Sequence, residues 1–190
     1  MPNVVKVPVS PGKWLYKYGN EYPSFTGGWQ ARAWTGNGSI WSAVAPGLTK
    51  NASNMVASMP NTYSSGKSGV VEIINNVDLT GYNTLHLLLD FNLGGSGWDK
   101  DGYSQFYLVT APVRSGNWTS SSVFSALLLC ESQTANASRS ATNQEYSLDV
   151  SDITGVQDVF IGCVWAYQLN ASTLTIKEAW LENENDLHRQ

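Results

Sequence analysis

Charge is scarce in this chain. Only 14% of its 190 residues are charged, against about 25% in an ordinary globular domain. The 11 basic residues are scattered singly and the net charge is −4. No basic stripe is available to neutralise phosphates, so nucleic acid is not an expected partner. No apolar run approaches the ~18 residues of a membrane-spanning helix, and no membrane partner is expected. The opening MPNVVKVPVSPGKW has no basic segment leading into an apolar one, so no signal peptide is read in this chain. Cysteine is limited to Cys130 and Cys163, each inside an apolar run. Two lone cysteines make neither a disulfide framework nor a metal motif, and buried free thiols are the expectation. Histidine is limited to His86 and His188. Catalysis needs convergent acid–base groups. His188 sits in the polar tail, and His86 sits in a strand pattern, where a structural hydrogen bond is expected. The chain is read as a non-enzyme. Helical periodicity is missing too, since no segment offers three capped turns.

What remains is strand after strand. TLHLLLDFN (Thr84 to Asn92), YSQFYLVTA (Tyr103 to Ala111), VFSALLLCE (Val123 to Glu131), VFIGCVWAY (Val159 to Tyr167) and STLTIKEAWL (Ser172 to Leu181) are apolar, rich in β-branched and aromatic residues, and bounded by turn formers. KWLYKY (13–18), NMVASM (54–59), GVVEIIN (69–75) and EYSLDV (145–150) read likewise, and Asn37-Gly38 marks a hairpin. The expected fold class is all-β, an antiparallel β-sandwich. Residues 1–12 carry Pro2, Pro8 and Pro11 among valines and read as an extended arm. Residues 13–182 read as one sandwich domain and 183–190 as a polar tail. Strand alternation puts Leu85, Leu87, Leu89 and Phe91 on one buried face, and Val159, Ile161, Cys163 and Trp165 on another. Trp14, Trp165 and Trp180 are expected in the core. Glu178 shares parity with Leu174, Ile176 and Trp180, which aims a carboxylate inward. A bulge between Lys177 and Ala179, or a direct partner, is therefore expected.

Three stretches, VDLTGYNTLHLLLDF (77–91), EYSLDVSDITGVQDVFIG (145–162) and LTIKEAWLE (174–182), together with the opening WLYKYGN…TGGW (14–29), resemble galactose-binding-like jelly-roll modules. The likeness is to those of phage and prophage tail or baseplate proteins of Gram-positive bacteria. It implies a jelly roll that binds glycan or assembles into a particle, in some members with calcium. The Trp-rich insert at 28–50 departs from the pattern.

Function on such a scaffold is expected at its loops. Trp98 lies in LGGSGWDKDG and Trp118 in RSGNWTSSS. A flat indole stacks on the apolar face of a sugar, with polar neighbours bonding the hydroxyls, so Trp98, Asp99, Asp101 and Trp118 are the candidate glycan-binding residues. The alternative is that these indoles plug a sheet end or meet a neighbouring subunit. Asp99-Lys100-Asp101-Gly102 offers only two carboxylates for calcium. An Asx-type turn is the preferred reading there, and no cofactor is expected. Sequons at Asn37, Asn51, Asn117, Asn136 and Asn170 carry no weight in so Asn- and Ser-rich a chain. The chain is thus read as a non-catalytic surface component of a phage-like particle, in the tail, baseplate or capsid decoration. Its expected place is a virion surface or outside the cell. Its expected partners are glycan or neighbouring virion subunits, and a homo-oligomer is expected. A free-standing carbohydrate-binding module is the first alternative. The second is a jelly-roll glycoside hydrolase using acids such as Glu72, Glu131 and Glu178.

Overall fold

The structure, a computed structural model, describes residues 13–17, 20–21, 29–37, 40–44, 47–59, 67–92, 105–115, 140–166 and 172–183. Twelve strands are described and no helix: β1 (Lys13–Lys17), β2 (Asn20–Glu21), β3 (Trp29–Asn37), β4 (Ile40–Val44), β5 (Gly47–Lys50), β6 (Met55–Met59), β7 (Lys67–Asp78), β8 (Thr84–Asn92), β9 (Gln105–Pro112), β10 (Ser140–Asp149), β11 (Val156–Ala166) and β12 (Ser172–Glu182). They form two antiparallel sheets. One has seven strands along the path β10-β8-β12-β1-β2, with β6 on β12 and β5 on β6. The other has five in the order β4-β3-β7-β11-β9. One apolar core holds residues of both sheets, the arrangement of a β-sandwich.

Alternation in β8 buries Leu85, Leu87, Leu89 and Phe91 and turns Thr84, His86, Leu88 and Asp90 outward, as the sequence led one to expect. Val159 and Ile161 are also in that core; the side chains of Cys163 and Trp165, and all of Cys130, lie outside the described residues. Phe91 and Phe106 stack 6.4 Å apart, and Phe106 stacks on Tyr146 at 4.0 Å, which ties β9 to β10 at the edge of the core. The hairpin expected at Asn37-Gly38 is seen as the β3–β4 pairing, which ends at Asn37 opposite Ile40. Strand β10 starts earlier than its apolar pattern suggests, because the polar stretch from Ser140 to Gln144 also pairs with β8.

Turns lock one end of the sandwich. Asp78 accepts from the Thr80 amide at 3.0 Å, and Asp149 accepts from the amide and hydroxyl of Ser151 at 3.0 and 2.6 Å. These bonds hold both carboxyls below the usual range. Gly81 (φ 81°) and Gly155 (φ 86°) take left-handed turns open to glycine. The Gly155 amide then donates to the Thr80 hydroxyl at 2.9 Å, and the Leu79 amide to the Gly155 carbonyl at 3.1 Å. The VDLTGY and DVSDITG segments therefore form one knot that fixes the ends of β7, β8, β10 and β11.

Each sheet also carries a clamped bulge. In β7, Asn76 (φ 56°) donates its amide to Asp158 of β11 at 2.9 Å, where the β7–β11 register shifts. In β10, Asn143 (φ 52°) donates its amide to Asp90 of β8 at 2.7 Å, where the β10–β8 register shifts. Asn tolerates the left-handed region better than most residues, and the cross-strand carboxylate satisfies the amide that the bulge frees.

Candidate functional site

Two further bulges decide what the seven-stranded sheet shows on its outer face. Strand β12 shifts register between Ile176 and Glu178, which leaves Lys177 as the extra residue. Parity reverses there: Leu174 and Ile176 are buried before the bulge, Ala179 and Leu181 after it. Glu178 is thereby turned outward, as expected, with the bulge one residue earlier than anticipated. The same reversal turns Trp180 outward, which corrects its assignment to the core. Strand β1 shifts register between Trp14 and Tyr16, so that Leu15 and Tyr16 are both buried while Trp14 and Lys17 face out. Trp14 is therefore also corrected from core to surface. Across the two strands Trp14 pairs with Trp180 and Lys17 with Glu178, so the outward residues of β1 meet the outward residues of β12.

The result is a row of half-buried rings across three neighbouring strands. Trp14 lies opposite Trp180, and Trp180 lies opposite His86. Trp14 and Trp180 are 5.6 Å apart with planes inclined at 52°. Trp180 and His86 stack nearly parallel, 4.9 Å apart at 5°. The Lys17 ammonium sits 4.0 Å over the Trp14 ring, a cation–π contact worth about 0.5–1 kcal/mol at an exposed site. Much of the ring-face area is thus taken by neighbours in the row.

Carboxylates border the row. His86 Nε2 lies 2.7 Å from Glu182 Oε2 on β12, a hydrogen bond that fixes the ring. His86 Nδ1 is buried without a hydrogen bond, and Glu145 of β10 approaches it to 3.4 Å. A singly protonated ring can donate to only one of these acids. Glu145 itself is 61% exposed. Further along the face, the Lys177 ammonium bonds Asp90 at 2.6 Å and the Asn143 side chain at 2.5 Å. The extra residue of the β12 bulge therefore reaches the bulge of β10 across β8.

Of the acids considered for hydrolysis, the two that are described, Glu72 and Glu178, lie on different sheets. Glu72 faces the interior from the five-stranded sheet, with Ile161 and Ala31 in register beside it, whereas Glu178 lies on the outer face of the other sheet. These two do not share a cleft, and Glu131 lies outside the described residues. Among the described residues no three His, Cys, Asp or Glu side chains gather as a metal site. Trp98, Asp99, Asp101 and Trp118, the loop residues singled out for glycan, lie outside the described residues. The ring row was missed because regular alternation was assumed through β1 and β12. The available signal was Glu178: the bulge that turns it outward must turn Trp180 outward as well. No protein-family model matches the chain, and no curated protein is significantly similar to it.

Proposed function

We propose that this chain is a non-catalytic surface component of a phage-like particle, of jelly-roll topology, that assembles through the outer face of its seven-stranded sheet with a second copy of itself. The observation that carries the reading is the row Trp14–Trp180–His86. Half-buried indoles within a polar border have the composition of a protein–protein contact, with an aromatic centre and a charged rim. The border holds both signs. Asp90, Glu145, Glu178 and Glu182 stand with Lys17 and Lys177, so the face can meet its own copy with opposite charges opposed. The particle context rests on the resemblance of the 77–91, 145–162 and 174–182 segments.

Glycan contact belongs to the same proposal at a different place. Sugar stacking needs an open ring face, and in the sheet row those faces are largely occupied by Lys17, His86 and the neighbouring indole. Trp98, with Asp99 and Asp101, and Trp118 are the residues assigned to it. Sedimentation velocity over a concentration series tests the assembly reading, with wild type beside the Trp14→Ala/Trp180→Ala double variant. Wild type should associate as concentration rises, and the folded double variant should remain monomeric. A wild-type protein that is monomeric throughout, or a variant that associates equally, would overturn it.

A further inference from the structure

Glu72 is the anomaly of the interior. It lies on β7, the middle strand of the five-stranded sheet, and its side chain is completely buried. Register places it beside Ala31 of β3 and Ile161 of β11. Those residues belong to the shared core, as do Ile74, Trp29 and Val159 one rung away. From the other sheet Ala57 of β6, also fully buried, faces it. Neither carboxyl oxygen has a hydrogen bond of good geometry. The Ala57 backbone is its nearest polar help, and that contact only partly offsets the desolvation, which pushes the carboxyl well above its ordinary value. The described residues facing it from β3, β11 and β6 bring no charge. The side chain of Cys163, two positions along β11 from Ile161, is outside the described residues. Three of the neighbours are small or aliphatic, so an ionised carboxylate there has no partner among the described residues and no water-like surroundings.

We propose that Glu72 is a proton-dependent lock between the two sheets: the neutral acid belongs to the core between Ala31, Ile161 and Ala57, and its ionisation loosens the seam between β6 and β7. The sign follows from linkage. The folded state holds the proton to a higher pH than the unfolded chain does. Stability is therefore full below the ordinary carboxylate range and falls as pH rises toward the raised value. Mechanically, the charge must either reach water or be left bare, and β6, whose Ala57 faces Glu72 from the other sheet, is the element that would have to yield.

The test is urea unfolding of wild type, Glu72→Gln and Glu72→Met from pH 5 to pH 9, with amide-exchange protection factors over the same range. The wild-type unfolding constant should rise by as much as about tenfold per pH unit within the window. The Gln and Met variants should lose that slope, since neither can ionise. Wild-type protection should fall with pH first in β6 and β7, before β8 and β10. A flat wild-type profile, or a Gln or Met variant that keeps the wild-type slope, would overturn the proposal. Should both variants fail to fold, exchange in the wild type decides alone: pH-dependent loss confined to β6 and β7 supports the lock, and loss spread evenly over both sheets refutes it.

Discussion

The two sheets share one core but differ in what lies behind it. In the seven-stranded sheet, β8 alternates cleanly between buried leucines and an outer set of Thr84, His86, Leu88 and Asp90 that is partly open to solvent. In the five-stranded sheet, the residues pointing away from the shared core are buried as well: Val71, Ile73, Tyr107, Val109, Asp158 and Phe160. The sequence reflects this contrast. GVVEIIN in β7 and VFIG in β11 are near-continuous apolar runs, the pattern of strands covered on both faces, whereas TLHLLLDFN carries a polar residue at every outer position except Leu88. A sheet covered on both faces serves as scaffold, and a sheet with one wet face is free to meet a partner.

The largest effect that would sharpen this contrast is a truncation behind each sheet. Phe160→Ala removes a fully buried ring from the far face of the five-stranded sheet and should cost about 3–5 kcal/mol in urea unfolding. Leu88→Ala, at a partly open position on the outer face of the other sheet, should cost about 1 kcal/mol or less. Equal costs would break the comparison.

The two clamped bulges extend it at lower energy. Asp158 and Asp90 each accept an amide from a left-handed Asn, but Asp158 is 2% exposed and the Asp90 side chain 30%. Asp158→Ala leaves the Asn76 amide unsatisfied away from water and should cost about 1–3 kcal/mol. Asp90→Ala lets water replace the carboxylate and should cost about 1 kcal/mol or less, even with the Lys177 pair lost. A reversal of that order, measured by chemical denaturation, would show that burial does not set the strength of the clamps.

The smallest effect lies at the knot that both sheets share. Asp78 and Asp149 are held below their ordinary value by Thr80 and Ser151. Each thus contributes stability that is present above the ordinary carboxylate value and lost as pH falls through the lowered one. Asp78→Asn with Asp149→Asn should flatten the acid limb of an unfolding profile between pH 5 and pH 2. An unchanged acid limb would place the titrating groups elsewhere.

Most described strands and the β8 face were legible because alternation and turn residues are local signals; the strand expected at Val123 to Glu131 lies outside the described residues. The knot was not legible, because the bonds that Gly155 gives to Thr80 and accepts from Leu79 join residues about 75 apart in sequence. The outer face was misread at Trp14 and Trp180, although the inward parity of Glu178 had already pointed to a bulge or a direct partner. A bulge moves every later residue in its strand to the other face, and that consequence reaches the neighbouring strand as well. Glu72 had no local signal, since a carboxylate in an apolar run reads alike whether it meets a partner or a bare core. The loop residues Trp98, Asp99, Asp101 and Trp118 stand outside the described structure, and their part in glycan binding remains a proposal.

Hydroxyl-radical footprinting of wild-type protein, at low concentration and again where it associates, tests most directly whether the wet face of the seven-stranded sheet is the contact surface. The account predicts that Trp14, Trp180 and His86 lose reactivity together on association, while Val113 and Val156, exposed at the five-stranded sheet, keep theirs. Unchanged reactivity at Trp14 and Trp180 in the associated protein would contradict it.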